Sequence, residues 1–245
     1  LSLVDEHLAQ REENRRTRVP GVVYVTDIVK PCQRGAYYTA ILNKAASPES
    51  LRIFEAGNLI EDWWINAVLS GRKDLHVVAT QLPARYVDEA GAFEIHGRVD
   101  ALIQHGDRAL VVHEVKSQRT ASWLREPKPE HVEQLQFYLA ALGLDWGQVD
   151  YLDKTILLQG RDVKARPGKG GTVDKSFPVQ RDTRVFAELV RRGRLLAEAI
   201  RAGKPPAKAE CWMCQGYCDY AAECRAEDGE GPLNAGLNVV EETSP

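Results

Sequence analysis

The segment GRVDALIQHGDRALVVHEVKSQ constrains this chain more than any other stretch of it. His105-Gly106-Asp107-Arg108 is turn chemistry, so Phe93–Gln104 and Ala109–Ser117 are predicted to pair as an antiparallel hairpin. A turn centred there sets Asp100 opposite residue 113 or 114. Glu114 and Lys116 are two positions apart and share one face of their strand, with Val111, His113 and Val115 on the other. Two carboxylates and one ammonium then converge at a strand end. Carboxylates within reach of each other bind a hard divalent cation. A lysine beside that cation positions water or neutralises a developing phosphoryl charge. A plain surface hairpin with a salt bridge would carry the same residues. A one-residue slip of register would also turn Asp100 to the wrong face.

The chain has 245 residues, of which 44% are apolar, enough to bury one large core or two small ones. No apolar run is long enough to span a membrane and the start has no signal-like pattern, so a cytoplasmic chain is expected. The net charge of -3 rules out a nucleic-acid footprint over the whole surface, so DNA would need a local patch. Lys154, Arg161, Lys164, Arg166, Lys169 and Lys175 form one candidate, although a solvated loop has the same composition. GKGGT within it lacks the spacing of a phosphate-binding P-loop.

Residues 1–21 read as a charged lead-in, 22–226 as the folded domain and 227–245 as an acidic flexible tail. Within the domain, Val22–Val25 is a short apolar run. Ser47-Pro48-Glu49 is a helix start, and the helix should run to about Leu69 on a stripe of Leu51, Phe54, Ile60, Trp64 and Val68. Strands are predicted at His76–Leu82, Val149–Gln159 and Phe177–Val179, and helices at Glu130–Leu142 and Asp182–Ala202.

The five cysteines are informative by position: Cys32 stands alone, while Cys211, Cys214, Cys218 and Cys224 crowd together. An odd count without secretory features argues against a disulfide framework, and clustered cysteines then point to metal.

In chain order the marks are Cys32-Gln33-Arg34, Gly57-x3-Glu61, Asp100, Glu114-x-Lys116, Gln134-x3-Tyr138, Lys154 and the cysteine group. This order resembles the PD-(D/E)XK nucleases of the RecB type that carry an iron–sulfur cluster, a family that includes CRISPR-associated RecB-like exonucleases, the nuclease domain of AddB and phage relatives. The resemblance covers residues 22–225. It implies an α/β restriction-endonuclease-like core, with a mixed central sheet flanked by helices and a helical iron–sulfur cap. It implies that Asp100, Glu114 and the Val115 carbonyl bind Mg²⁺ or Mn²⁺, that Lys116 acts on the attacking water, and that Gln134 and Tyr138 hold the nucleic-acid strand. Members often have histidine where this chain has Glu61, which would be a further metal ligand.

For the cluster, of the 4Fe–4S kind, the resemblance implies Cys32, Cys214, Cys218 and Cys224, with Cys211 spare. The spacing also permits zinc held by Cys211, Cys214, Cys218 and Cys224 with Cys32 free. The implied activity is metal-dependent exonucleolytic hydrolysis of DNA, on single strands or ends, in CRISPR adaptation or in recombination and repair, with partner proteins from those systems. The alternative is a nucleic-acid-binding scaffold that keeps the nuclease fold and a structural metal but cuts little.

Overall fold

A computed structural model of the chain describes residues 2–15, 18–107, 109–119, 121, 124–159, 173–209, 214 and 218–227. The predicted hairpin is present as β3 (Glu94–His105) and β4 (Ala109–Gln118), paired antiparallel from Ala101↔His113 to His105↔Ala109. It turns at Gly106, whose φ of +57° is a conformation that side chains disfavour.

β3 is the axis of a six-stranded mixed sheet. β2 (Leu75–Val87) lies antiparallel along the whole of one edge, well beyond the predicted His76–Leu82. The other edge is shared by two strands. β1 (Val22–Tyr24) runs parallel to Glu94–His96, and β4 takes Ala101–His105. Between them the sheet forks, and Gly97–Asp100 has no strand partner on that edge among the described residues. Outward from β4 come β5 (Trp146–Asp153), parallel to it, and β6 (Asp174–Gln180), antiparallel to β5.

Helices cover both faces. Ser47 caps α4 (Pro48–Trp63), its side chain accepting the Ser50 N–H at 3.1 Å, and the helix runs on into a π-helical turn at Trp64–Leu69. Ile60, Trp64, Ile65 and Leu69 bury against Ala101, Ile103 and Val115. The opposite face packs on α5 (Pro129–Leu142) and α7 (Thr183–Ala202) through Leu135, Leu139, Leu189 and Leu196. Glycines in left-handed conformation end both of these helices, Gly143 at φ +67° and Gly203 at φ +62°.

One further sequence expectation changes. The strand predicted at Val149–Gln159 stops at Asp153, and α6 (Lys154–Gln159) follows. Asp153 causes the break: its carboxylate accepts the N–H groups of Thr155 at 3.0 Å and Ala121 at 2.8 Å, which turns the chain into a helix. The lead-in forms α1 (Leu3–Arg15), which is tied to α4 by Arg11–Glu55 at 2.8 Å and by an Arg52–Asp5 ion pair. Arg161, Lys164, Arg166, Lys169 and the tail beyond residue 227 lie outside the described residues.

The front and back of the chain meet. α2 (Val25–Ile28) leads to α3 (Gln33–Leu42), which Cys32 caps by accepting the Gly35 N–H on Sγ at 3.3 Å. The segment ending in α8 (Ala221–Glu227) docks beside it: Tyr38 stacks on Tyr220 at 6.1 Å, and Lys44 donates to the Asp219 carbonyl at 3.0 Å. No helix among the described residues is long and apolar enough to cross a membrane.

Candidate active site

The fork in the sheet builds the site. Where the β3–β4 ladder ends, the Asp100 carboxylate replaces it and accepts the Val115 N–H at 2.7 Å. The main-chain N–H and C=O of one strand residue leave on the same edge. The Val115 carbonyl therefore faces the open fork beside Asp100. Glu114 and Lys116 form an ion pair there, on β4. Glu61 comes from α4, and its Oε1 accepts the Gln81 amide at 2.7 Å.

The regular alternation of β3 also breaks at this point. Ile95 and Val99 bury against α5 and α7, whereas Ala101 and Ile103 bury against α4. Strict alternation would put all four on one face, so the strand slips by one residue at Asp100. Across the ladder, between Thr80↔Ala101 and Leu82↔Val99, Gln81 has a left-handed φ of +53°.

Electrostatics mark the three carboxylates as uncomfortable together. Burial, then the Asp100 charge, pushes Glu114 up to about 8 against the pull of Lys116. Burial and the same charge push Glu61 up to about 7. Burial raises Asp100 too, opposed by Lys116 and the Val115 N–H. Burial works against the Lys116 charge, but Glu114 and Asp100 outweigh it and hold the ammonium above the ordinary lysine range. Glu114 is completely buried, and its side chain is held by the ion pair with Lys116.

One ammonium shared among three carboxylates leaves the site short of positive charge. The donors are all oxygen, the chemistry that suits Mg²⁺ or Mn²⁺. Among the described residues no three acidic, histidine or cysteine side chains are gathered closely enough to hold an ion as they stand. Lys116 sits on Glu114 and Gln81 on Glu61, so both carboxylates would have to let these partners go.

Gln134 and Tyr138 come to the fork from α5. Tyr138 is only 1% exposed and lies over Gly97, where an added Cβ would stand 2.5 Å from its ring. Its hydroxyl accepts the Gln134 amide at 2.8 Å and bonds the Arg98 main chain. The resemblance implies that Tyr138 holds the nucleic-acid strand, but its ring is buried in the fork and not exposed to one. Tyr138 instead plugs the gap between β1 and β4 and aims Gln134, which lines the cleft.

That cleft, of about 1960 Å³, runs past Glu61, Lys116, Gln134 and Lys154. It exceeds the several hundred Å³ usual for a small-molecule pocket. The sequence reading missed Gln81, Arg98 and His131. Arg98 carried a faint signal, a cation two places before a candidate ligand, and Gln81 carried none. His131 lines the cleft, and burial and then the Lys116 charge lower it to about 3.

Among the described residues, Cys32, Cys214, Cys218 and Cys224 form no disulfide. Burial raises the Cys218 thiol, the Tyr220 main chain opposes this, and Cys32 and Cys214 add to it, so these three lie near one another. Cys211 lies outside the described residues.

A sheet of this order with an acid–Glu-x-Lys site at its fork defines a nuclease core. The sequence matches the PD-(D/E)XK nuclease superfamily over residues 8–225, and the chain belongs to that superfamily. The CRISPR-associated exonuclease Cas4 of Saccharolobus solfataricus is 28% identical over 151 residues, 61% of this chain and 69% of that protein. The crystal structure of SSO0001 superposes with a TM-score of 0.61 at 21% identity, covering 92% of this chain and 98% of that one, a likeness of fold.

Proposed function

We propose that the chain is a divalent-cation-dependent DNA exonuclease acting on single strands or DNA ends. The observation that carries this reading is the convergence of Glu61, Asp100, Glu114 and Lys116 at the sheet fork, beside a polymer-sized cleft that Glu61 and Lys116 line. Glu61, Asp100, Glu114 and the Val115 carbonyl would hold Mg²⁺ or Mn²⁺. When bound, the ion supplies polarisation of the scissile phosphate and acidifies the attacking water. Lys116 stays protonated between its carboxylates and places a fixed positive charge where the phosphoryl group becomes more negative. Gln134 offers its amide to the strand, and Tyr138 orients that amide.

We further infer that Cys32, Cys214, Cys218 and Cys224 hold an iron–sulfur cluster of the 4Fe–4S kind, in a cap formed where the two ends of the chain dock. Cys32, from the other end of the chain, bears on Cys218 as Cys214 does, which supports this set over the local zinc group. The biological setting we read is CRISPR adaptation or DNA recombination and repair, and the Saccharolobus solfataricus relative supports the first.

The test is cleavage of end-labelled linear DNA and of circular single strands with Mg²⁺, Mn²⁺ or EDTA. Linear DNA should be degraded from its ends and circles spared. Asp100→Ala, Glu114→Ala and Lys116→Ala should each abolish cleavage while the fold persists. Full cutting by any of them sinks the assignment, and binding without cleavage by the native chain identifies a scaffold.

A further inference from the structure

Phe54 is 53% exposed, yet it does not lie on an open outer face. It lines the cleft, on the helix that carries Glu61. Residues 54, 58 and 61 are spaced i, i+4 and i+7, so Phe54, Asn58 and Glu61 form one stripe. The ring therefore stands about 10 Å along the helix from the Glu61 carboxylate. Between them Gly57 leaves the stripe without a side chain, and α4 lies close on β4 there: a Cβ at Gly57 would be 3.4 Å from Ser117 Oγ.

Arg98 is the second unexplained group in the same cleft. It is exposed, and its charge bears on both Asp100 and Glu61. Most other cations lining the cleft are already committed, among them Arg18 and Lys30 to Asp27, Lys44 to Glu223 and Arg192 to Glu133. The Arg98 guanidinium makes no hydrogen bond or ion pair among the described residues. A free guanidinium beside carboxylates that would hold a metal is suited to a phosphate adjoining the one that is cut. An exposed ring on the wall of a polymer-sized cleft is suited to the face of a base.

We propose that Phe54 and Arg98 form a two-point hold for single-stranded DNA, the ring under an unpaired base and the guanidinium on the backbone next to the scissile phosphate. The inference rests on the DNA reading above and adds the strand state. A duplex stacks its base faces on one another and offers Phe54 nothing.

The experiment is fluorescence-polarisation binding by the full-length chain in Ca²⁺, scored separately from cleavage. The probes are a single-stranded oligothymidylate, an abasic strand of equal length and a blunt duplex. Loss of one base–aromatic stack should weaken oligothymidylate binding by Phe54→Ala about 5- to 150-fold. Phe54→Trp should restore it, and the abasic strand and duplex should bind both variants alike. Arg98→Ala should reduce the slope of log affinity against log salt by about 0.7 on the single strand, the value for one phosphate contact. Thermal melts of both variants should match the native chain, since both side chains are exposed.

Native-like oligothymidylate binding by Phe54→Ala, an equal loss on the abasic strand, or an unchanged salt slope for Arg98→Ala overturns the hold. A chain that shows the hold but never cuts refutes the nuclease assignment alone. A chain that cuts while Phe54→Ala binds normally refutes the hold alone.

Discussion

Gln81 stands across the β2–β3 ladder from Asp100 with its backbone in the left-handed region, at φ +53°. A non-glycine residue in that conformation inside a strand is strained by about 1–2 kcal/mol. The strain coincides with the one-residue slip of β3 at Asp100. The two distortions turn Asp100 toward the open edge of the fork, where its carboxylate takes over from the ladder. The same Gln81 donates its amide to Glu61, so one strained residue touches the machinery from both sides.

Replacing Gln81 with glycine should leave the melting temperature equal or higher, because backbone relief offsets the lost hydrogen bond to Glu61. Replacing it with valine should lower it by several degrees, since a β-branched residue at positive φ is a severe misfit. Thermal melts of the two variants check this. A valine variant as stable as the native chain would mean that the backbone there is not strained.

Gly97 and Tyr138 should behave as one unit. An alanine at 97 would drive its Cβ into the Tyr138 ring at 2.5 Å and towards Val25 Cγ1 at 3.0 Å. Overpacking of this kind destabilises by about 1–3 kcal/mol. Tyr138→Phe leaves the Gln134 amide without its acceptor, at a cost of about 1–3 kcal/mol. Because an alanine at 97 displaces the ring and with it the hydroxyl that Gln134 uses, the double variant should lose less than the sum in denaturant titrations. Strict additivity would contradict the plug.

How far the chain could be read follows from which contacts are local. The hairpin, α4, α5 and α7 were legible because each has periodic apolar residues between a recognisable start and stop: Ser47-Pro48, Gly106, Gly143, Asp182, Gly203. The pairing of Asp100 with the Glu114–Lys116 strand followed from turn chemistry alone. The fork did not. It depends on β1, three residues long, joining β3 in parallel from some seventy residues away. No periodicity announces such a partner. The place of Tyr138 as a plug was not legible, because the gap it fills exists only once β1 has joined β3. The end of β5 was misread because apolar residues continue on both sides of Asp153, and the break comes from Asp153 capturing two N–H groups, one of them from distant Ala121.

His131 gives a pH signature. It titrates near 6.5 when unfolded, while burial and then the neighbouring Lys116 and Lys128 charges hold it at about 3 in the fold. Between those values the unfolded chain binds a proton that the fold does not. This lowers stability as pH falls below about 6.5. His131→Gln keeps a polar group near the Tyr151 hydroxyl, now 2.8 Å from Nδ1, but cannot titrate. Melts from pH 7.5 to pH 5 should therefore show the variant gaining on the native chain. A constant difference across that range would remove His131 from the acid response.

The cysteines give the prediction with the plainest readout. Purified without oxygen, the protein should be brown and contain iron and sulfide, because thiolate-bound clusters absorb visible light and zinc does not. Cys32→Ser should bleach it. Serine is itself a good helix cap, so the Gly35 N–H keeps an acceptor at the start of α3. Any loss of colour and stability then reports the missing thiolate rather than a frayed helix. The bridge from Cys32 to Cys214, Cys218 and Cys224 closes most of the chain into one loop, so its removal should lower the melting temperature. The stack of Tyr38 on Tyr220 and the Lys44 contacts should keep the two ends docked and the variant folded. Cys211→Ser should have much less effect on colour or stability. A colourless protein with one stoichiometric zinc, indifferent to Cys32→Ser but disrupted by Cys211→Ser, would replace the cluster with a local zinc site at the back of the chain.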